Sequence, residues 1–312
     1  MENPANAIAV PELLGVAVDA FAKHDGFLHE TIVPVVKVKK SQFKYSKFRT
    51  DQLKEIDRTE RAVGHGANEA TKIGRDWVSG STRPQALKID IPDEILNDSP
   101  EPEMMKAMEI ESLVRKLKIG IDRHVKDLLN AATQTAAAAA KWDVVTNTTI
   151  ETDINLGKKT MRDKRGVNPN YIIIGQTVAE AVLGNNRIRE LVKYNPNDLL
   201  ARYTLPPTLF GMIPLSPGLL VDKANPGAAA DIGPLWDDET VYLVYVDPNA
   251  TSNTLTAIVA FRNTENGEPF AVETWRDPDK SAKKDWFSTE VSQEEITVAN
   301  EAIYRITDTL TA

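Results

Sequence analysis

The side chains able to move protons, hold a metal ion or attack a carbonyl are few and scattered in this sequence. Its four histidines, His24, His29, His65 and His124, fit no HExxH or comparable ligand spacing. His24 and His29, close together near a chain end, read as solvent-exposed polar residues. The chain has no cysteine, which excludes thiolate nucleophiles, disulfides and cysteine metal sites together. No serine sits in a GxSxG elbow, and no GxxxxGK[ST] phosphate loop is present. Gly64-His65-Gly66 comes nearest to a phosphate cradle, but it lacks the preceding apolar strand and the following amphipathic helix, so it reads as a bend. The acid pairs Asp237-Asp238 and Glu294-Glu295 fall in turn-like or strand-edge settings, where solvation is the default. No catalytic residue, cofactor or metal is assigned, and nothing in the pattern requires an enzyme.

The one concentrated chemical feature is charge. From Thr31 to Thr50 the chain carries Lys37, Lys39, Lys40, Lys44, Lys47 and Arg49 with no acid to offset them. Such a stretch is either a solvated strand with a lysine face, or a surface meeting acidic neighbours or enclosed DNA.

The elements that would position these groups differ along the chain. Residues 1–30 mix small apolar clusters with polar residues and read as an arm. Residues 51–98 are charged and spotted with glycine, too poor in bulky apolar residues to bury a core of their own, so they need a surface to lie on. Within them ALKIDIP (86–92) alternates Leu87, Ile89 and Ile91 against Lys88 and Asp90, as the returning limb of a long hairpin. A long helix is predicted from about Pro102, announced by prolines and glutamates that suit a helix start. Ile110, Leu113, Val114, Leu117, Ile121, Val125 and Leu128 form its apolar stripe, with Lys116, Lys118, Arg123 and Lys126 on the remainder. The alanine run Ala136 to Ala140 either extends this helix or acts as a spacer.

Residues 142–267 read as mixed α/β. A charged helix over 153–165 stops at Gly166; a buried strand runs from Tyr171 to Ile174; helices follow over Gln176 to Leu183 and Ile188 to Tyr194. Val241 to Val246 and Leu255 to Phe261 are central strands, separated from the earlier elements by a proline-rich loop region. The tail returns to strands over 268–277, 285–291 and 296–307, the first two joined at Pro278.

The 312 residues, 42% of them hydrophobic, suffice for one large or two modest domains. A net charge of −8 and a pI near 5.2 disfavour a dedicated nucleic-acid binder. No apolar run approaches the roughly 20 residues that cross a bilayer, and Met1 to Val10 lacks a signal pattern. Residence in a cytoplasm, away from membranes, is the expectation.

In order, the chain offers an arm, a long hairpin, one long helix, an α/β block and a return to strands. This order resembles the major capsid proteins of tailed bacteriophages, of the Hong Kong 97 type. ALKIDIPDEILNDSP is similar to that family's extended loop entering its spine helix, and IGIDRHVKDLLNAA to the end of that helix. NPNYIIIGQTVAEAVLGNNRIRELVKY and LFGMIPLSPGLL resemble its axial-domain strand, helix and following strand, and FAVETWRDPDKSAKKDWFSTEV its long peripheral strands.

The resemblance implies an α+β capsid fold. It has an N-terminal arm (1–44), an extended loop (45–98), a spine helix (99–141), an axial domain (142–267) and peripheral return strands (268–312). It implies hexamers and pentamers of this chain closing into an icosahedral virion shell around double-stranded DNA, with a portal protein as partner and assembly in a bacterial host. The chain reaches its arm directly after Met1, so scaffolding is expected to be a separate protein. The extended loop is expected to lie over an adjacent subunit, with Lys72, Arg75, Trp77 and Lys88 as contacts that combine charge with one aromatic anchor. Some relatives join lysine to asparagine covalently; Lys72 and Lys88 lie in that region, though no local pattern marks either. Two other readings stay open: an encapsulin-like compartment shell, and a cytosolic α/β enzyme with its pocket at the ends of strands 171–174 and 241–246.

Overall fold

A computed structural model describes residues 8–9, 26–48, 60, 63, 66–68, 75–146, 149–192, 205–224, 227–237, 239–264, 271–277 and 283–311. Strand β1 (Ile8–Ala9) and a one-turn helix α1 (His29–Ile32) come first. Strands β2 (Val35–Val38), β3 (Gln42–Phe48), β4 (Arg75–Ser81) and β5 (Arg83–Pro92) follow. Helix α2 (Asp93–Asp98) leads into the long helix α3 (Pro102–Asn130), then strand β6 (Thr135–Ala137), helix α4 (Ile150–Arg165) and strand β7 (Tyr171–Ile174). Next stand helices α5 (Gln176–Gly184) and α6 (Asn186–Val192) and strands β8 (Ile213–Leu215), β9 (Leu220–Asp222), β10 (Ile232–Pro234) and β11 (Val241–Val244). The chain ends with β12 (Ile258–Asn263), β13 (Ala271–Arg276), β14 (Lys284–Thr297) and β15 (Ile303–Thr307).

Two sheets organise these elements. The five-stranded one has the order β6-β15-β11-β7-β8, and its middle strand β11 is buried at every residue. Helices α4 and α5 cover one face through Ile154, Met161, Val178 and Val182. Gly157 permits the close approach of α4: a Cβ there would stand 2.6 Å from Leu243 and 2.7 Å from Tyr304. Gly166 ends α4 at φ 71°, a left-handed conformation that glycine adopts without strain.

The other sheet has the order β1-β13-β14-β12-β2, with β5 along the opposite side of β14. Helix α3 spans both sheets on one side. Its predicted stripe is buried from Ile110 to Val125 and continues to Leu129. Ile110 and Val114 meet Val272 and Phe287, while Ile121, Val125 and Leu129 meet Ile258, Ala260, Tyr242 and Val244. On β12 the alternate residues Val259 and Phe261 face the other way, onto the two-stranded ribbon β3–β4 through Phe43 and Tyr45. The six-stranded sheet therefore lies between the long helix and the root of the ribbon.

Several expectations change. Ala136 and Ala137 are strand, not helix, because β6 adds in parallel to β15. The ALKIDIP segment follows the hairpin as part of β5, which pairs with β14 over ten residues; the limb that pairs with β3 is Arg75–Ser81. The strand at 258–263 joins the tail strands β13 and β14, whereas β15 joins the α/β sheet, so the two sheets exchange strands across positions 142 and 267. The tail segment 296–307 is broken by a 3-10 turn at Asn300–Ala302. The Pro278 turn lies outside the described residues.

Candidate functional site

Of the four expected contacts, Arg75 and Trp77 lie on the ribbon β3–β4, whose first strand alternates Phe43, Tyr45 and Lys47 on one face. Phe43 stacks on Phe261 with ring centroids 4.2 Å apart, and Tyr45 lies 5.7 Å from the same ring. Burial pushes the pKa of the Tyr45 hydroxyl up, keeping it neutral. A Cβ at Gly80 would stand 2.7 Å from the Phe43 ring, so the missing side chain makes room for that stack. Ser46 is buried beneath the loop at 252–253, donating its hydroxyl to Asn253 at 2.9 Å and its backbone N–H to Ser252 at 3.2 Å. The ribbon is thus fixed at its root.

Its outer surface is different. Lys44, Lys47 and Asp76 are exposed, and the Trp77 indole is 58% exposed across from Ser46. Upstream, Lys37, Lys39 and Lys40 are exposed as well, which agrees with a lysine face. Arg75 opens β4 opposite Phe48. Lys88 stands apart on β5, with its ammonium 4.4 Å from the Trp286 ring, which also stacks on Trp275 at 6.3 Å. Lys72 lies outside the described residues. The structure therefore brings Arg75 and Trp77 onto one strand and gives Lys88 an aromatic partner within its own chain.

An open groove of about 530 Å³ runs along the ribbon, lined by Gln42, Phe43, Lys44, Ser79, Gly80 and Ser81. Lys44 is the one ionisable side chain in that lining, so no acid–base pair converges there. Among the described residues no group of three or more His, Cys, Asp or Glu side chains could hold a metal ion, and no helix is long and apolar enough to cross a membrane.

Two polar nodes pin α3 in place, and both overturn a surface reading. His29 is buried, as is Lys118, whose ammonium bonds Glu30 at 2.8 Å. Asp122, wholly buried, accepts the backbone N–H of His29 at 2.8 Å and the Trp236 indole N–H at 3.1 Å. Segment 27–32 covers this flank of the helix, so positions that look solvated on a helical wheel are interior. Further along, His124 Nδ1 lies 2.7 Å from Glu295, a buried carboxylate read from sequence as surface. That hydrogen bond raises the His124 ionisation, against the opposing effect of burial.

A sandwiched sheet, one long helix across two sheets and a separate two-stranded ribbon make up an α+β shell-subunit fold of the Hong Kong 97 type. The chain belongs to the phage capsid protein family, whose model matches residues 85–290, from β5 to within its partner β14. Similar solved structures are a phage-related protein of Bordetella bronchiseptica RB50 and the capsid of the cyanophage P-SCSP1u. The first has 17% identity and a TM-score of 0.69, covering 98% of this chain and 100% of that one. The second has 8% identity and a TM-score of 0.62, covering 100% and 93%. The encapsulin complex of Synechococcus elongatus PCC 7942 is also similar, at 9% identity and a TM-score of 0.52, covering 91% and 87%. No curated protein matches the sequence. Family membership makes this a structural protein of the phage capsid.

Proposed function

We propose that this chain is the repeating head subunit of a tailed bacteriophage, closing in hexamers and pentamers into an icosahedral shell around double-stranded DNA. Its work is assembly and not catalysis. It would join a portal protein and be guided by a separate scaffolding protein in the host cytoplasm. The observation that carries this reading is the ribbon β3–β4, a two-stranded sheet tethered at its root with the Trp77 indole left exposed. Such a ribbon is marginal alone in water, and an exposed aromatic beside cations is the composition of a contact. The α+β core supplies the rigid plate from which it is presented.

Negative-stain microscopy of the purified full chain tests this. Hollow shells or ring-shaped capsomers are the expected result, and a chain that remains a small compact oligomer at all concentrations overturns it. The likeness to an encapsulin favours a second reading, a protein-packaging compartment. Contents of particles isolated from the native source separate the two: nucleic acid supports the phage head, and a folded protein cargo supports the compartment.

A further inference from the structure

Helix α3 is acidic at its start and basic in its middle. Between Glu111 and Asp127 it carries Arg115, Lys116, Lys118, Arg123 and Lys126, and the one acid in that span, Asp122, is wholly buried. Several of these cations are engaged within the chain: Lys118 by Glu30, and Lys126 by the Leu235 carbonyl. Arg115, Lys116 and Arg123 are exposed, and among the described residues none of the three makes an ion pair.

Gly120 stands among them. Lys116, Gly120 and Arg123, at i, i+4 and i+7, follow one another along the exposed side of the helix. Glycine is the least favourable helix residue after proline, and inside a helix it calls for a reason, such as a close neighbour. Gly157 on α4 has one, since its Cβ would stand 2.6 Å from Leu243. At Gly120 a Cβ would meet nothing within 4 Å. No group of this chain uses the room that the missing side chain leaves.

We infer that this row is where the chain meets packaged DNA: a phosphate backbone seats over Gly120, with Arg115, Lys116 and Arg123 on its oxygens. The glycine admits the strand close to the helix, and cations without a competing carboxylate are the composition of phosphate contacts. From Arg115 to Arg123 the helix rises about 12 Å, a length that faces several phosphates of one strand, which follow every ~3.4 Å of duplex axis. Such a contact reads no sequence, and a local patch serves it although the whole chain has a net charge of −8. This deepens the shell-subunit reading and rests on it. It also orients the plate. Helix α3 covers the sheet face carrying Ile258 and Ala260, and the ribbon root covers the face carrying Val259 and Phe261, so the helix side is the one turned to the DNA.

Full-length unassembled chain, titrated at low salt with a fluorescent mixed-sequence DNA duplex, tests the contact. Lys116→Gln/Arg123→Gln should bind about tenfold more weakly, with the slope of log affinity against log salt shallower by about two. Lys39→Gln/Lys40→Gln, an equal loss of charge elsewhere, should bind as wild type does. Gly120→Gln changes no charge and should also weaken binding, while Gly120→Ala should raise the melting temperature of unassembled chain, because only helix propensity changes. In assembled particles, Lys116→Cys in this cysteine-free chain should resist a bulky maleimide until the particles are opened. The inference is overturned, with the shell reading left standing, if wild type binds no duplex or the helix variants bind as wild type does. The same follows if the loss appears in the Lys39/Lys40 variant instead, if Gly120→Ala lowers the melting temperature, or if intact particles are labelled. Wild-type chain that forms neither rings nor shells removes the underlying reading.

Discussion

His29 Nδ1 lies 2.8 Å from the Asp122 carboxylate, which is wholly buried although it comes from the polar side of the long helix. The same carboxylate takes N–H groups from His29 and Trp236, so one side chain joins segment 27–32, α3 and the chain after β10. Removing it strands several donors in the interior. Asp122→Ala should lower the unfolding free energy by about 3–5 kcal/mol, the usual penalty for breaking a buried polar pair from one side. Urea denaturation of unassembled chain measures this. A loss below about 1 kcal/mol would mean that water replaces the carboxylate and that the node is not structural.

Gly80 and Phe43 make a second close pair. A methyl group at 80 would stand 2.7 Å from the ring and push it off Phe261. Gly80→Ala should therefore cost about 1–3 kcal/mol as overpacking, and the effect should be local. Hydrogen exchange of amides in β3 and β4 should quicken while those in α3 keep their protection. Unchanged exchange in the ribbon would show that this aromatic stack does not hold it.

How much of this was legible beforehand depends on the range of the forces involved. The α3 stripe could be read because helical period is local. Lys118 and Asp122 could not, since a polar residue beside an apolar stripe is solvated unless a distant segment covers it, and residues 27–32 do so. The alanines at 136–137 prefer a helix in isolation, but pairing with β15 overrides propensity. Partner choice for β5, β12 and β15 is long-range pairing, which alternation does not encode. The alternation of Phe43 and Tyr45 is a local signal of a half-buried strand, but the lysines between and around them make the stretch read as a solvated lysine face.

The extended segment can now be cut where the structure allows. Removing 51–98 as a block would take away β5 and its ten-residue pairing with β14, so the chain should not fold. Replacing only residues 49–74 by Asn-Gly keeps β3 and β4, whose outermost pair is Phe48–Arg75, and supplies the two-residue turn that hairpins favour. That variant should keep the far-UV circular dichroism and thermal transition of unassembled wild type yet form no particles. Normal particles from it would show that the segment is dispensable for assembly.

The contact of His124 with Glu295 gives the junction between α3 and β14 a pH dependence whose sign is fixed by the direction of the shift. The ordinary histidine value is 6.5, and in the folded chain it is raised, first by the hydrogen bond to Glu295 and further by the charges of Glu295, Glu294 and Asp127, with burial opposing. Glu295 also accepts from Gln293 at 2.6 Å, and Gln293 accepts from Arg262 at 2.9 Å, so the carboxylate is held in place whether or not the imidazole is charged. Burial lowers the ionisation of Arg262, which the Glu295 charge opposes. A raised histidine favours the protonated fold: its contribution is complete below 6.5 and disappears as pH climbs through the folded value. The melting temperature of wild type relative to His124→Gln should therefore be highest on the acid side of neutrality and should shrink as the solution is made alkaline. Because every other group titrates in both proteins, this difference isolates the imidazole. A difference that stays constant across that range, or grows toward alkaline pH, would mean that His124 is not a charged partner of Glu295 in the folded chain.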